Sequence, residues 1–185
     1  TNAIFAGPYG VATDADGNLY VTDNGNSLVR KITPAGVVTT LAGSVGELGA
    51  ADGMGGDARF NRPSGVPLGS DGNVYVADTD NATIRKMTPA GAVTTVAGSA
   101  ALSGSTDATG ADARFRNPLG VGADGNGNVY VADAYNFTIR KITPAGVVTT
   151  LAGGVLAPGF IDGVGEDARF LELGASLQPK AATCP

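Results

Sequence analysis

Short apolar runs succeed one another along the chain, and each is closed by aspartate, asparagine, glycine or proline. Residues 10–13 form the first run, and the Asp14-Ala15-Asp16-Gly17-Asn18 that follows carries the Asp-Gly pair of a tight hairpin. Residues 19–22 mix aliphatic, aromatic and β-branched side chains, which predicts a second strand. Turn chemistry returns at 23–26, a third strand is expected at 28–33, Pro34-Ala35-Gly36 turns the chain, and 37–41 supply a fourth strand. No link is long enough for a crossover helix, so neighbouring strands should run antiparallel. The third strand does not alternate cleanly, because Val29 and Ile32 fall on opposite faces. Apolar residues on both faces suit a sheet covered on both sides. Arg30 and Lys31 take one face each, with their stems expected to be buried and their heads at a rim.

The same plan returns twice. RKITPAGVVTTLAG at 30–43 recurs unchanged at 140–153, and the copy at 85–98 differs only at Met87, Ala92 and Val96. Tyr20, Tyr75 and Tyr130 keep the same step of 55 residues, as do Asp23, Asp78 and Asp133, and the DARF motifs that start at Asp57, Asp112 and Asp167. A fixed period of this kind is the signature of a repeat architecture. Strands are expected at 65–68, 74–77, 83–88 and 92–96 in the second unit, and at 120–123, 129–132, 138–143 and 147–151 in the third. Pro67 lies inside the first of these; it removes a ladder donor and marks that strand as an edge. Four-stranded sheets covered on both faces and repeated in series are β-propeller blades. The expected fold is therefore all-β, with three four-stranded antiparallel blades at 8–62, 63–117 and 118–170 in an incomplete ring. NAIF at 2–5 aligns with DARF, so residues 1–7 complete a preceding connector, while 171–185 leave the repeat as an irregular tail.

Composition changes this picture little. The 29 glycines among 185 residues suit frequent turns more than long helices. A net charge of −5 argues against a nucleic-acid face, which needs basic charge. No long apolar run predicts membrane insertion, and no basic stretch followed by an apolar core marks a signal peptide at the first residues. Cys184 is the single cysteine, so no disulfide framework exists within the chain. It is open to an intermolecular disulfide or stays a free thiol in the tail.

PYGVATDADGNLYVTDNGNSLVRKITPAGVVTTLAG at 8–43, followed by DGMGGDARF at 52–60, resembles the NHL repeat over about nine-tenths of the chain. The resemblance implies one propeller blade per repeat, often six blades to a ring, with the first strand of each blade at the axis and the fourth at the outer rim. Leu68-Gly69 in place of Thr13-Asp14, and Asp107-Ala108 in place of Asp-Gly, depart from the pattern. Three blades fall short of a closed ring, and an open end exposes a blade face. The expected completion is self-association, as a ring or a filament, or the remainder of a longer chain.

Candidate chemistry is sparse. With no histidine, neither His-based acid/base catalysis nor a Ser-His-Asp arrangement can be built, nor can the histidine-bound zinc of some propeller lyases similar to NHL proteins. No catalytic residue, cofactor or metal site is expected. Asp14 to Asn18 looks like the start of an EF-hand loop, but Gly25 stands where the bidentate glutamate belongs, so a hairpin turn with self-accepting aspartates is the better reading. Asp52, Gly55 and Asp57 recur as Asp107, Gly110 and Asp112, and as Asp162, Gly165 and Asp167. These pairs either hold calcium or, as the repetition favours, start a turn and cap a short helical turn through Ala-Arg-Phe, with Phe60, Phe115 and Phe170 plugging the gaps between blades. Asp23, Asp78 and Asp133 are expected to pair with Arg30, Arg85 and Arg140 within each blade. Asn81 and Asn136 open two sequons and would be exposed N-glycosylation acceptors in a secreted protein, unless the repeat needs asparagine there for its turn. The expectation is a non-enzymatic, extracellular structural or interaction module. A propeller binding glycan or peptide at its axial mouth is the alternative, and a calcium-dependent hydrolase or lyase comes after it.

Overall fold

In the computed structural model, which describes residues 3–100, 102–171 and 173–174, antiparallel pairing builds three four-stranded sheets. Blade one holds β1 (Pro8–Thr13), β2 (Leu19–Asp23), β3 (Leu28–Ile32) and β4 (Val38–Ala42) in chain order. In the second blade, β5 (Gly53–Met54) comes first in the chain but lies at one edge of the sheet, beside β8 (Ala92–Gly98), then β7 (Thr83–Met87) and β6 (Val74–Asp78). Blade three repeats the plan of blade one with β9 (Pro118–Ala123), β10 (Val129–Asp133), β11 (Thr138–Ile142) and β12 (Val148–Ala152). The register is the same in all three: Val21 faces Arg30, Val76 faces Arg85, and Val131 faces Arg140.

The expected strand at 65–68 does not form as a continuous element. Only isolated bridges remain, from Pro63 to Asp78 and from Leu68 to Val74. Pro67 accepts the Tyr75 N–H through its carbonyl but has no N–H to return, and the Gly65 N–H is donated to Leu119 O of the next blade at 2.9 Å. The sheet recovers a fourth strand on its other side, because the connector after blade one runs along β8 as β5. The first connector thus straps the blade that follows it. In blade three a bridge from Thr109 to Val147 does the same.

The core lies between blades. Each sheet has a front face toward the preceding blade and a back face toward the following one, as the strand period of two requires. Tyr20, Val29 and Ala42 on the back of blade one pack with Val74, Val76, Met87 and Val93 on the front of blade two. Tyr75, Ala77, Ile84 and Ala97 meet Val129, Val131, Ile142 and Val148 in the same way. Phe60 and Phe115 are fully buried in these two seams, where the sequence places them as plugs. At the inner edges, Thr22 Oγ1 donates to Ser64 O at 2.6 Å and Ser64 Oγ to Leu119 O at 2.9 Å, which ties the first segments of the three blades together.

Candidate functional site

The densest charged cluster sits inside each blade seam. Asp78 ends β6 and Arg85 lies on β7, diagonal to it on the front face. Their side chains are fully buried and 2.8 Å apart. Arg85 also donates to Asp52 at 2.7 Å and to the carbonyls of Arg59 at 3.0 Å and Ala51 at 2.9 Å, all three on the connector. Its guanidinium carbon stands 5.4 Å from the Phe60 ring centroid, within cation–π range. Asp78 accepts the Asn61 N–H at 2.7 Å and the Asn81 amide at 2.8 Å. Blade three rebuilds the set with Asp133, Arg140, Asp107, Asn136 and Phe115. Blade one keeps only part of it: Arg30 meets Asp23 at 3.2 Å and lies 5.2 Å from the Phe5 ring centroid, with no second carboxylate among the described residues.

The within-blade pairing expected from sequence is therefore present. Two details differ. The heads of Arg85 and Arg140 do not reach a rim; they are buried because connector carbonyls and carboxylates satisfy their donors. The connector aspartates also take other roles than expected. Asp52 receives Arg85 and the Thr95 N–H and hydroxyl instead of starting a turn. The 3-10 turns run over Gly55–Asp57, Gly110–Asp112 and Gly165–Asp167, so the second aspartate ends the turn, and the alanine after it is extended. Asp57 stays exposed while Asp52 is tied to Arg85, and no cluster of three or more metal-ligating side chains occurs among the described residues.

Electrostatics follow from these partners. Desolvation pushes Asp78 up to about 6, against the opposing bonds from Asn61, Asn81 and Arg85, and raises Asp133 in the same way. Asp52 is partly desolvated too, yet the Thr95 N–H and Arg85 hold it below the ordinary carboxylate value. In the hairpin turns, Asp14 accepts the Asn18 side chain and the N–H groups of Asp16 and Asn18. The Asn18 amide leads in lowering its pKa, and the Asn128 amide brings the equivalent Asp124 down to about 2. Blade two has Gly69 at this position, and Asp71 two residues on takes over the bonds to Asn73 and Tyr75. Burial and this carboxylate lift Tyr75 to about 12. The Asp14 oxygens are thus occupied by the turn itself.

The sequon asparagines are not exposed. Asn81 and Asn136 are buried, and each amide nitrogen donates twice: Asn81 to Gly49 O at 2.6 Å and Asp78, Asn136 to Gly104 O at 2.7 Å and Asp133 at 2.7 Å. A glycan on that nitrogen would break one of these bonds and has no room, so the repeat uses asparagine here to clamp the connector. The expectation of exposed acceptors is corrected on that ground, and secretion draws no support from these residues. Cys184 lies outside the described residues. A concavity of about 380 Å³ opens where the first segments converge and is lined by Tyr9, Val11, Gly65, Val66, Pro67 and Val121 among others. No helix among the described residues is long and apolar enough to cross a membrane.

Sheets of this order, stacked face to face with connectors as straps, define the chain as a β-propeller segment. Its family is equally plain: the NHL repeat model matches residues 5–32, 60–87 and 115–142, and the chain is an array of NHL repeats. It is 34% identical over 151 residues to NHL repeat-containing protein 2 of Bos taurus, a match that covers 75% of this chain and 21% of that protein. The chain thus spans about a fifth of that relative's length. A solved structure of a protein of unknown function from Bacteroides thetaiotaomicron superposes with a TM-score of 0.73 at 27% identity, over 90% of this chain and 41% of the other. A gluconolactonase from Xanthomonas campestris shares the fold alone, with a TM-score of 0.59 at 14% identity over 80% of this chain and 48% of that one.

Proposed function

We propose that this chain is a non-enzymatic interaction module whose blade faces and connectors make its contacts with other protein surfaces. One observation carries the reading. The buried charged groups whose ionisation is displaced, Asp78 and Asp133, are committed to bonds that recur blade by blade, and none faces an open cavity. Catalytic sites set different residues in different roles around one pocket; here the same residues hold the same scaffold. The exposed apolar surface is concentrated instead on the last connector, at Phe160, Ile161 and Val164. The test is a turnover screen of the purified chain on lactones, esters and lyase substrates, with and without calcium. Activity that tracks the folded chain, and that a single substitution abolishes without unfolding it, would overturn the reading.

A second reading places an apolar or aromatic-stacking ligand, a peptide or a glycan, in the concavity between the first segments. Tyr9, 49% exposed, and Val11, 66% exposed, both line it and favour that reading. Titration of peptide and glycan libraries against wild type and Tyr9→Ala tests it, with equal binding by both as the result that removes it.

A further inference from the structure

We propose that Arg116, Tyr135 and Leu156 form a docking site on blade three for a segment of a partner protein that presents a carboxylate beside an apolar side chain. The site rests on the interaction-module reading and adds to it the surface and the chemistry of the partner.

Blades one and three share RKITPAGVVTTLAG without a change, so the exposed positions at which the copies differ are informative. A 3-10 turn follows the second strand of each four-stranded plan, over Asn24–Asn26, Thr79–Asn81 and Ala134–Asn136. Its middle residue is Gly25, Asp80 or Tyr135, and all three are exposed. Blade two uses this position for charge: the Asp80 carboxylate stands 4.0 Å from Arg62. Blade three reverses Asn61-Arg62 to Arg116-Asn117 and replaces the carboxylate with a phenol ring. Arg116 is exposed, and among the described residues it alone of the arginines has no carboxylate or carbonyl partner. Its carbonyl accepts the Tyr135 N–H at 3.1 Å, so the cation and the ring, 57% exposed, leave neighbouring points of the backbone.

Leu156 extends the patch. Its N–H donates to Asn136 O at 3.1 Å, one residue along from Tyr135. Its φ is 53°, in the left-handed region, where blade one has Gly46 at φ 79°. A leucine is strained there and a glycine is not. The strain gains no burial, because Leu156 is 58% exposed. Backbone strain of this kind clusters at ligand-binding positions.

The patch does not depend on what packs behind blade three. Gly25 and Asp80 stay exposed with a further blade following each, as does Gly46, and Arg116 lies at the seam that blades two and three already close. None of the three residues lines the concavity at the inner edges. The partner's chemistry follows from theirs. A planar guanidinium matches a carboxylate with two parallel bonds, and tyrosine and arginine together are the side chains that most often anchor protein contacts. Tyr135 and Leu156 add apolar area on either side of the bound carboxylate. A nucleic acid fits poorly, because one arginine neutralises one phosphate while the net charge of −5 repels the rest of the strand.

The experiment selects random peptides displayed on phage against the wild-type chain, then measures the enriched peptides by fluorescence polarisation on wild type, Arg116→Gln, Tyr135→Ala, Leu156→Gly and Val45→Ala, with a thermal melt of each variant. Enriched peptides should carry aspartate or glutamate beside leucine, phenylalanine or tyrosine. Tyr135→Ala should weaken them about tenfold. Arg116→Gln should do the same and remove most of the salt dependence of binding. Val45→Ala, an equally exposed apolar site on blade one, should leave affinity unchanged. Leu156→Gly should weaken binding yet raise the melting temperature, since it relieves the left-handed strain; a leucine with a merely structural role would lower it. No enrichment, enrichment without acidic residues, tighter capture of a single-stranded RNA oligomer, or enriched peptides that bind Arg116→Gln and Tyr135→Ala as tightly as wild type would each overturn the site. Peptides that bind elsewhere on the chain remove this site and keep the interaction-module reading, whereas turnover removes that reading and leaves the site standing.

Discussion

Replacing Arg85 with methionine tests whether the buried clusters hold the blades together. Methionine keeps most of the volume of the arginine stem, so the packing cost is small. The electrostatic cost is not. Asp78, fully buried, would keep the Asn61 N–H and the Asn81 amide but lose the cation 2.8 Å away. Breaking a buried pair by removing one partner costs about 3–5 kcal/mol. The Asp52 side chain, 49% exposed, rehydrates and adds no more than about 1 kcal/mol. Arg30→Met strands a carboxylate as buried as Asp78, that of Asp23, but this guanidinium makes one bond among the described residues, at 3.2 Å, and is 12% exposed, so it gives up less and the loss should be somewhat smaller. Urea denaturation of both variants, with amide exchange of β6 and β7 to localise the effect, measures the difference. The double variant Arg85→Met with Asp78→Leu removes both charges and should recover part of the loss, because it avoids the unpaired carboxylate but leaves the Asn61 N–H and the Asn81 amide without that acceptor. No recovery in the double variant would refute the assignment of the cost to a stranded buried charge.

Phe115→Ala should cost about 3–5 kcal/mol, since the ring is fully buried in the seam, whereas Phe5→Ala should cost clearly less because only one blade holds it; urea midpoints compare the two. Gly98 sits at φ 92° with Ala82 O 2.4 Å from where a Cβ would stand, so Gly98→Ala must shift backbone and should destabilise far more than Gly36→Ala, which at φ 76° meets nothing and costs about 1–2 kcal/mol of left-handed strain; thermal melts decide. Stability should also depend on pH with two opposite signs. Asp78 has its folded pKa raised to about 6, so its contribution is complete below about pH 4 and is lost as pH rises toward 6, with a slope of at most about 1.4 kcal/mol per pH unit. Asp124, lowered to about 2, contributes above about pH 4 and loses that contribution as pH falls toward 2. Asp78→Asn should flatten the first limb and Asp124→Asn the second in urea titrations from pH 2 to 7; a wild type that gains stability between pH 4 and 6 through Asp78 would contradict the burial of its charge.

Strand positions were legible because each is short, bounded by turn residues and repeated at the same step, so three noisy signals reinforce one another. Even the failure at 65–68 had its cause in view, since Pro67 cannot return a bond to Tyr75. What was not legible was the depth of Arg85 and Arg140. A charged residue seen alone reads as surface, and its burial becomes affordable only through Asp52 and Asp107, each 33 residues earlier in sequence. The same distance hid the asparagines: a sequon looks exposed until Gly49 O and Gly104 O, each 32 residues upstream, are placed against it. The usable signal was covariation within the chain, because aspartate, arginine, asparagine, connector aspartate and phenylalanine all recur at one period. Residues that recur together at non-adjacent positions are the ones to place in a single cluster.

The blades are less alike where they meet than where they fold. Thr22 and Asn24 on blade one reach Ser64 O at 2.6 Å and Pro63 O at 3.0 Å. In the second seam Ser64 and Thr79 reach Leu119 O and Pro118 O, both at 2.9 Å. Blade three has Ala132 and Ala134 where blade one has Thr22 and Asn24, so its back face offers no side-chain donor at the inner edge. Whatever packs on that face is joined to it without this inner clasp. The connector hairpin, by contrast, retains every carbonyl and the carboxylate used in the two inner seams. The repeat therefore holds its connector positions more closely than its inner edge, where each seam uses its own side chains.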